Sequence, residues 1–155
     1  VNAKLLIRQY QTADKEAVWE LHRLALEPTG AMLLGPWNDD FKNIPAHYPH
    51  KEGDFLVGLI NGKIICMGAL KKKSEGVGEI KRMRVLPGHQ RQGYGQMILD
   101  LLEVKAKKLG YNQLCLDTTT KQFPAQAFYK KNGYHEVGRT IYSGLEIIFF
   151  EKKLG

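Results

Sequence analysis

Runs of apolar and polar residues divide the chain into a series of short elements. Residues 4–10 read as a first strand. Thr12 and Asp14 are both helix-capping types, and after them Ala17, Val18, Leu21, Leu24 and Ala25 recur at helical spacing to about Glu27. Pro28, Gly30, Gly35 and Pro36 then break the pattern, so residues 37–50 predict no more than a short helical stretch ending in a loop from Pro45 to His50. Two β-rich runs, residues 55–60 and 63–67, flank Asn61-Gly62. That dipeptide predicts a hairpin with a type I′ turn, in which both central residues take positive φ. A turn at Lys71-Lys72-Lys73-Ser74-Glu75-Gly76 leads to a third strand over residues 77–86, closed by Pro87-Gly88. A helix follows, with Met97, Ile98, Leu101, Leu102, Ala106 and Leu109 on its inner face. Lys105, Lys107 and Lys108 fill its last turns and Gly110 lies just past its end. Residues 114–116 read as a buried strand. Pro124 opens a short helix over 125–131 that Asn132-Gly133 stops, and strands at 134–138 and 145–152 finish the chain.

This order, β-α-β-β-β-α-β-α-β-β, predicts an α/β (α+β) architecture: a mixed, mostly antiparallel sheet of about six to seven strands with helices on both faces. There is no internal repeat, linker or low-complexity tract, and 155 residues suit one domain spanning 1–155. A chain of this size buries roughly 70% of its unfolded surface, so it needs no metal or disulfide staple. With 43% hydrophobic residues it is not a disordered segment. No apolar run approaches the ~18 residues of a membrane span. Val1-Asn2-Ala3-Lys4 shows no leader-like apolar core. Cys66 and Cys115 are too few and too far apart for a disulfide framework or zinc site. The expectation is a soluble cytoplasmic protein with no membrane partner.

The net charge of +7 is unevenly spread. Residues 71–108 carry 10 basic and 4 acidic side chains, nearly all of the excess. Such a field suits a polyanion: nucleic acid, or a phosphorylated small molecule. Nucleic-acid binding would call for stacking aromatics among the charges, yet Tyr94 is the only aromatic between Lys71 and Lys108.

The chemistry concentrates where the third strand of the meander meets the long helix. There Gln90-Arg91-Gln92-Gly93-Tyr94-Gly95-Gln96 leads into the helix start, where unpaired N–H groups meet the positive end of the dipole. Gly93 and Gly95 remove side chains, so a phosphate can approach the backbone, and Arg91 can add a charge-assisted hydrogen bond. These residues predict a pyrophosphate site; the alternative is a tight strand–helix turn. A Walker A loop is excluded, because no Gly-Lys-Ser/Thr follows. The dinucleotide fingerprint fails too, because position 98 is Ile and the preceding strands form a meander.

Gln90-Arg91-Gln92-Gly93-Tyr94-Gly95 resembles the Gln/Arg-x-x-Gly-x-Gly/Ala coenzyme A signature of the GNAT N-acetyltransferases. Residues 125–134, Ala-Gln-Ala-Phe-Tyr-Lys-Lys-Asn-Gly-Tyr, are similar to that family's Ala-x-x-x-Tyr-x-x-x-Gly-Phe/Tyr segment. The resemblance implies a GNAT fold with a splayed strand pair, residues 77–86 and 114–118, around acetyl-CoA, and no metal. Backbone groups of Met83, Arg84 and Val85 would hold the pantetheine and polarise the thioester carbonyl. Amides of residues 91–96 would hold the pyrophosphate. Many relatives carry a cofactor-contacting Asn seven residues before the tyrosine, and the resemblance puts Gln122 in that cofactor-binding place here. The implied reaction is direct attack of a primary amine on the thioester, and Tyr129 matches the family's proton donor; the alternative for Tyr129 is a core aromatic on a short helix. Glu79, eleven residues before Gln90, matches the strand glutamate that serves as base in the histone-acetyltransferase-like members. Burial in a sheet would raise its pKa, which suits a base; the alternative is pairing with Lys81 or Arg82. The resemblance also implies a homodimer, since C-terminal strands often pair between subunits in this family.

Other residues carry weaker signals. Asp117 ends its strand either as a substrate-orienting group or as a solvated carboxylate. His47 and His50 lack further ligands for a metal, His89 lies on the phosphate loop, and both cysteines suit the core. Trp37, Asn38, Asp39, Asp40, Phe41, Tyr48, Tyr142 and Ser143 fall where the family builds its acceptor pocket. Asp39 and Asp40 would either attract a cationic amine, with Trp37 packing on it, or cap a short helix. Small amines, aminoglycosides, amino acids and protein N-termini all remain open as acceptors. A catalytically silent acyl-CoA sensor is the competing reading.

Overall fold

A computed structural model describes residues 4–33 and 35–155; Val1, Asn2 and Ala3, on which the absence of a leader was read, and Leu34 lie outside it. Seven strands form one sheet in the order β1-β2-β3-β4-β5-β7-β6, where β1 is Leu6–Gln9, β2 Asp54–Ile60, β3 Lys63–Ser74, β4 Val77–Val85, β5 Gln113–Thr119, β6 His135–Tyr142 and β7 Leu145–Lys153. Every neighbouring pair is antiparallel except β4 and β5. Helix α1 (Lys15–Leu26) and the short α2 (Ile44–His47) pack on one face; α3 (Tyr94–Lys108) packs on the other, with α4 (Phe123–Lys131) following β5.

The Asn61-Gly62 turn closes the β2–β3 hairpin with φ of 50° and 78°, as its type requires. β3 continues through the three lysines, so the turn before β4 shrinks to Glu75-Gly76. Lys71 pairs with Glu79 and Lys72 with Gly78 across the ladder; Lys71 Nζ lies over the Tyr48 ring and Lys72 Nζ pairs with Glu75. Asp14 precedes α1 but does not cap it with its side chain. Its carboxylate receives both ends of the Arg8 guanidinium (2.7 and 3.0 Å) and the Gln11 N–H, which ties the start of α1 to β1.

Helix α3 is turned by one position from its expected face. Ile98, Leu99, Leu102 and Ala106 are buried, whereas Met97 and Leu101 stand 45% and 46% exposed. Apolar residues fill 97–99 and 101–102, so spacing alone leaves the face undecided. Packing against β3 decides it: Ile98 and Leu102 sit over Gly68, where any Cβ would overlap Met83 Sδ and Ile98.

Two features of β4 prepare the site. It pairs with β5 at only three positions, Val77–Gln113, Gly78–Leu114 and Glu79–Cys115, after which the strands part. On its other side the register with β3 slips between Met67–Arg84 and Ala69–Lys81, so Gly68 opposes two residues. This bulge places Arg82 at φ 58°, in the left-handed region.

Candidate active site

The parting of β4 and β5 leaves a cleft of about 330 Å³, with α1 and the segment after it on one side and α4, β6 and β7 on the other. Beyond Glu79, β4 has no ladder partner on the β5 side, so part of its backbone faces the cleft. Glu79 closes the last paired rung. It lines the cleft, is 9% exposed, and forms no hydrogen bond or ion pair among the described residues; neither Lys81 nor Arg82 neutralises it. Tyr129 enters from α4, its ring packed against Phe128, Tyr134 and Phe150. Its hydroxyl has no partner among the described residues, and burial pushes its pKa up to about 12 despite the opposing charge of Arg84. Asp117 is an exposed carboxylate on the β5 wall. Beside it, Thr118 Oγ1 is buried without a hydrogen-bond partner among the described residues.

The opposite wall is built by charge pairing that sequence spacing did not reveal. Asp40 neither caps a helix nor awaits an amine. It accepts Arg82 Nη2 at 2.6 Å and Nε at 2.8 Å, and the Tyr48 hydroxyl at 2.6 Å. Burial favours its neutral form, yet Arg82 outweighs that and holds the carboxyl below its usual range. The same guanidinium donates to the Trp37 carbonyl and lies over the Phe41 ring, pinning the 3-10 turn Pro36–Lys42 to the bulge of β4. Asp39 pairs outside with Lys42. Trp37 meets Tyr142 edge to face, with ring centroids 4.3 Å apart, across the mouth of the cleft.

Arg84 also lines the cleft. The residue is half-buried there. Nε donates to His22 Nδ1 at 3.4 Å and Nη1 to the Met83 carbonyl at 2.8 Å. Burial, together with the Arg82 charge, lowers its pKa to about 10, so it remains protonated at neutral pH. His22, on α1, is 1% exposed. Burial and the two arginines push its pKa down to about 3, so it is neutral and can accept from Arg84.

Beyond β4, the backbone N–H groups of residues 91–96 have no partner among the described residues; the first helical bond of α3 runs from the Met97 N–H to the Gly93 carbonyl. Arg91 (φ 64°) and Gly93 (φ 84°) both take the left-handed conformation, which curls successive N–H groups into a concave donor set. Space beside Gly93 is open, and a Cβ at Gly95 would meet Val85 and Phe128. The Gln90 amide donates to the Val85 carbonyl (3.1 Å) and so folds the loop back on β4. Gln96 and Asn132 exchange amide hydrogen bonds of 2.7 and 3.0 Å, fastening α3 to the end of α4. Gln122, at the start of α4, lines the cleft, but its Oε1 is taken by the Thr119 N–H and hydroxyl.

Glu79, Met83, Arg84, Gln122 and Tyr129 therefore share one cleft, and the loop of residues 90–96 adjoins its β4 wall through Val85. Sequence reading missed the Arg84 side chain, His22 and the orphaned Thr118 hydroxyl. A histidine at an apolar position of α1 was the one available sign.

A mixed sheet split between two parallel strands, with a concave set of amides at the start of the following helix, defines an acyltransferase-type architecture. The chain belongs to the acetyltransferase (GNAT) family, whose sequence model matches residues 15–134. A curated relative, the IAA acetyltransferase of Azospirillum brasilense, is 34% identical over 85 residues, covering 54% of this chain and 56% of that protein. The match thus spans about half the length of that relative. A GNAT-family acetyltransferase of Staphylococcus aureus superposes with a TM-score of 0.89 at 22% identity, over 98% of this chain and 100% of that one. The PaiA N-acetyltransferase of Thermoplasma acidophilum, solved in complex with coenzyme A, gives 0.80 at 19% identity, over 97% and 99%.

Proposed function

We propose that the protein transfers an acetyl group from acetyl-CoA to a primary amine. The observation that carries this reading is the meeting of three elements around one cleft. They are the amides of residues 91–96 beside it, the buried Glu79 at its apex and the Tyr129 hydroxyl in its wall, all without a partner among the described residues. The residues fit the co-substrate. Free amides and Arg91 suit a pyrophosphate, and the open edge of β4 together with the orphaned Thr118 hydroxyl offers hydrogen bonds to an amide-bearing chain such as pantetheine. Backbone groups of Met83, Arg84 and Val85 would hold the pantetheine along that edge.

In the reaction, the amine nitrogen bonds to the thioester carbon and the carbon–sulfur bond breaks, giving an amide and coenzyme A thiol. Glu79 takes a proton from the amine, directly or through water, because an amine is mostly protonated at neutral pH and must lose a proton to attack. Tyr129, held protonated well above neutral pH, gives a proton to the departing thiolate and regains one through water from the nitrogen, which sheds its second proton as the amide forms. N–H groups on the open edge of β4 stabilise charge on the carbonyl oxygen.

Calorimetric titration with acetyl-CoA, using ATP and NAD as controls, tests the binding half. One-to-one binding of acetyl-CoA alone is expected. No binding of acetyl-CoA would leave the 90–96 loop as a structural turn and end the acetyltransferase reading.

A further inference from the structure

Arg84 has no role in the acyl transfer as derived above beyond its backbone. Of the six arginines, Arg8, Arg23, Arg82 and Arg139 each pair with a carboxylate, and Arg91 is exposed on the phosphate loop. Arg84 alone is half-buried with no carboxylate within ion-pair distance among the described residues. Its Nε and Nη1 are held by His22 and the Met83 carbonyl, which fixes the fork and leaves Nη2 without a hydrogen-bond partner among the described residues. A half-buried charge without an ion-pair partner is costly to hold, and Asp117 acts on it only at longer range. Asp40 cannot be that partner, because it is committed to Arg82 and Tyr48.

The charges left free along the cleft are balanced: Lys81 and Arg84 against Glu79 and Asp117. A polycationic acceptor would meet two like charges there, whereas a zwitterion would meet a partner for each end. We propose that the acceptor is an amine that also carries a carboxylate, an amino acid in the broad sense, and that the Arg84 guanidinium binds this carboxylate while the amine is presented to Glu79. The proposal rests on the acetyltransferase reading and names its substrate class. Arg84 reaches His22 on α1, on the wall away from the α3 loop, so the carboxylate belongs to the acceptor rather than to the acyl chain.

The test uses the unaltered protein and a thiol-release assay. L-α-amino acids, β-alanine and 4-aminobutyrate are each compared with their carboxamides, with acetyl-CoA as donor and succinyl-CoA in a parallel arm. At least one acid should exceed its carboxamide by about 10- to 100-fold in kcat/KM, the range for a charge-assisted hydrogen bond. Arg84→Gln should bring the pair to similar values, chiefly by raising KM for the acid, and Arg84→Lys should recover part of the preference. Equal rates within every pair, a preference for carboxamides, or a preference that survives Arg84→Gln would overturn the proposal. So would donor preference for succinyl-CoA with the pairs reacting alike, which places the carboxylate on the acyl chain. If acetyl-CoA binds one-to-one yet no acid or carboxamide turns over, only the substrate class falls; if acetyl-CoA does not bind, the acetyltransferase reading falls with it.

Discussion

Acidification from about pH 7.5 to about pH 5 should cost the fold about 2 kcal/mol through one side chain, His22. In the folded protein its pKa is pushed down to about 3 by burial and by Arg84 and Arg82, whereas in the unfolded chain it sits near 6.5. Because the folded value is the lower one, the unfolded state takes up a proton first. The contribution is complete above about pH 6.5 and is lost as pH falls toward 3. About 1.5 pH units below the unfolded pKa, at about 1.4 kcal/mol per unit, the loss is about 2 kcal/mol. For a domain of this size that corresponds to a fall in melting temperature of about 4–8 °C. Other groups titrate over the same range, so the measurement is a difference. Urea unfolding at both pH values is compared for the unaltered protein and His22→Asn, which keeps an acceptor near the Nδ1 position but does not titrate. The unaltered protein should lose about 2 kcal/mol more than the variant. Equal losses would mean that His22 takes up a proton in the folded state, and that it is not the neutral acceptor holding Arg84.

Glu79→Gln should bind acetyl-CoA with unchanged affinity and lose about 100- to 10,000-fold in turnover at neutral pH; unchanged rates across a set of accepted amines would remove Glu79 as the base. Tyr129→Phe should slow the chemical step about 100-fold in single-turnover assays with little change in acetyl-CoA affinity, and a defect confined to binding would count against proton donation. Gly68→Ala forces a methyl group into Met83 and Ile98 beneath the β4 bulge, so urea unfolding should show a loss of about 1–3 kcal/mol; a neutral result would mean that the bulge yields freely.

The order of elements was legible because each boundary carries its own local chemistry: Asn61-Gly62 demands positive φ, Pro124 opens α4, and Gly110 follows α3. The face of α3 was not, since consecutive apolar residues satisfy more than one stripe and only the contact with Gly68 selects among them. In the site, the 90–96 loop was readable because its donors are backbone groups exposed by two glycines. Asp40 was misread, as its partner Arg82 lies 42 positions away and its pairing depends on how the 3-10 turn docks on the bulge. Arg84 and His22, 62 positions apart, meet only when α1 crosses β4. Gln122 lines the cleft, while its carbonyl oxygen accepts from Thr119 at the end of β5, a local bond that spacing does not announce.

The three-rung junction between β4 and β5 gives the protein a built-in reporter. Past Glu79, backbone amides on the cleft side of β4 lack a partner strand and depend on water, so in the free protein they should exchange with deuterium far faster than their neighbours bonded to β3. A bound chain of amides would take the place of the missing strand. Mass spectrometry of the peptide spanning β4 would then register occupancy through slowed exchange alone, for reactive and inert ligands alike, before any acceptor had been identified.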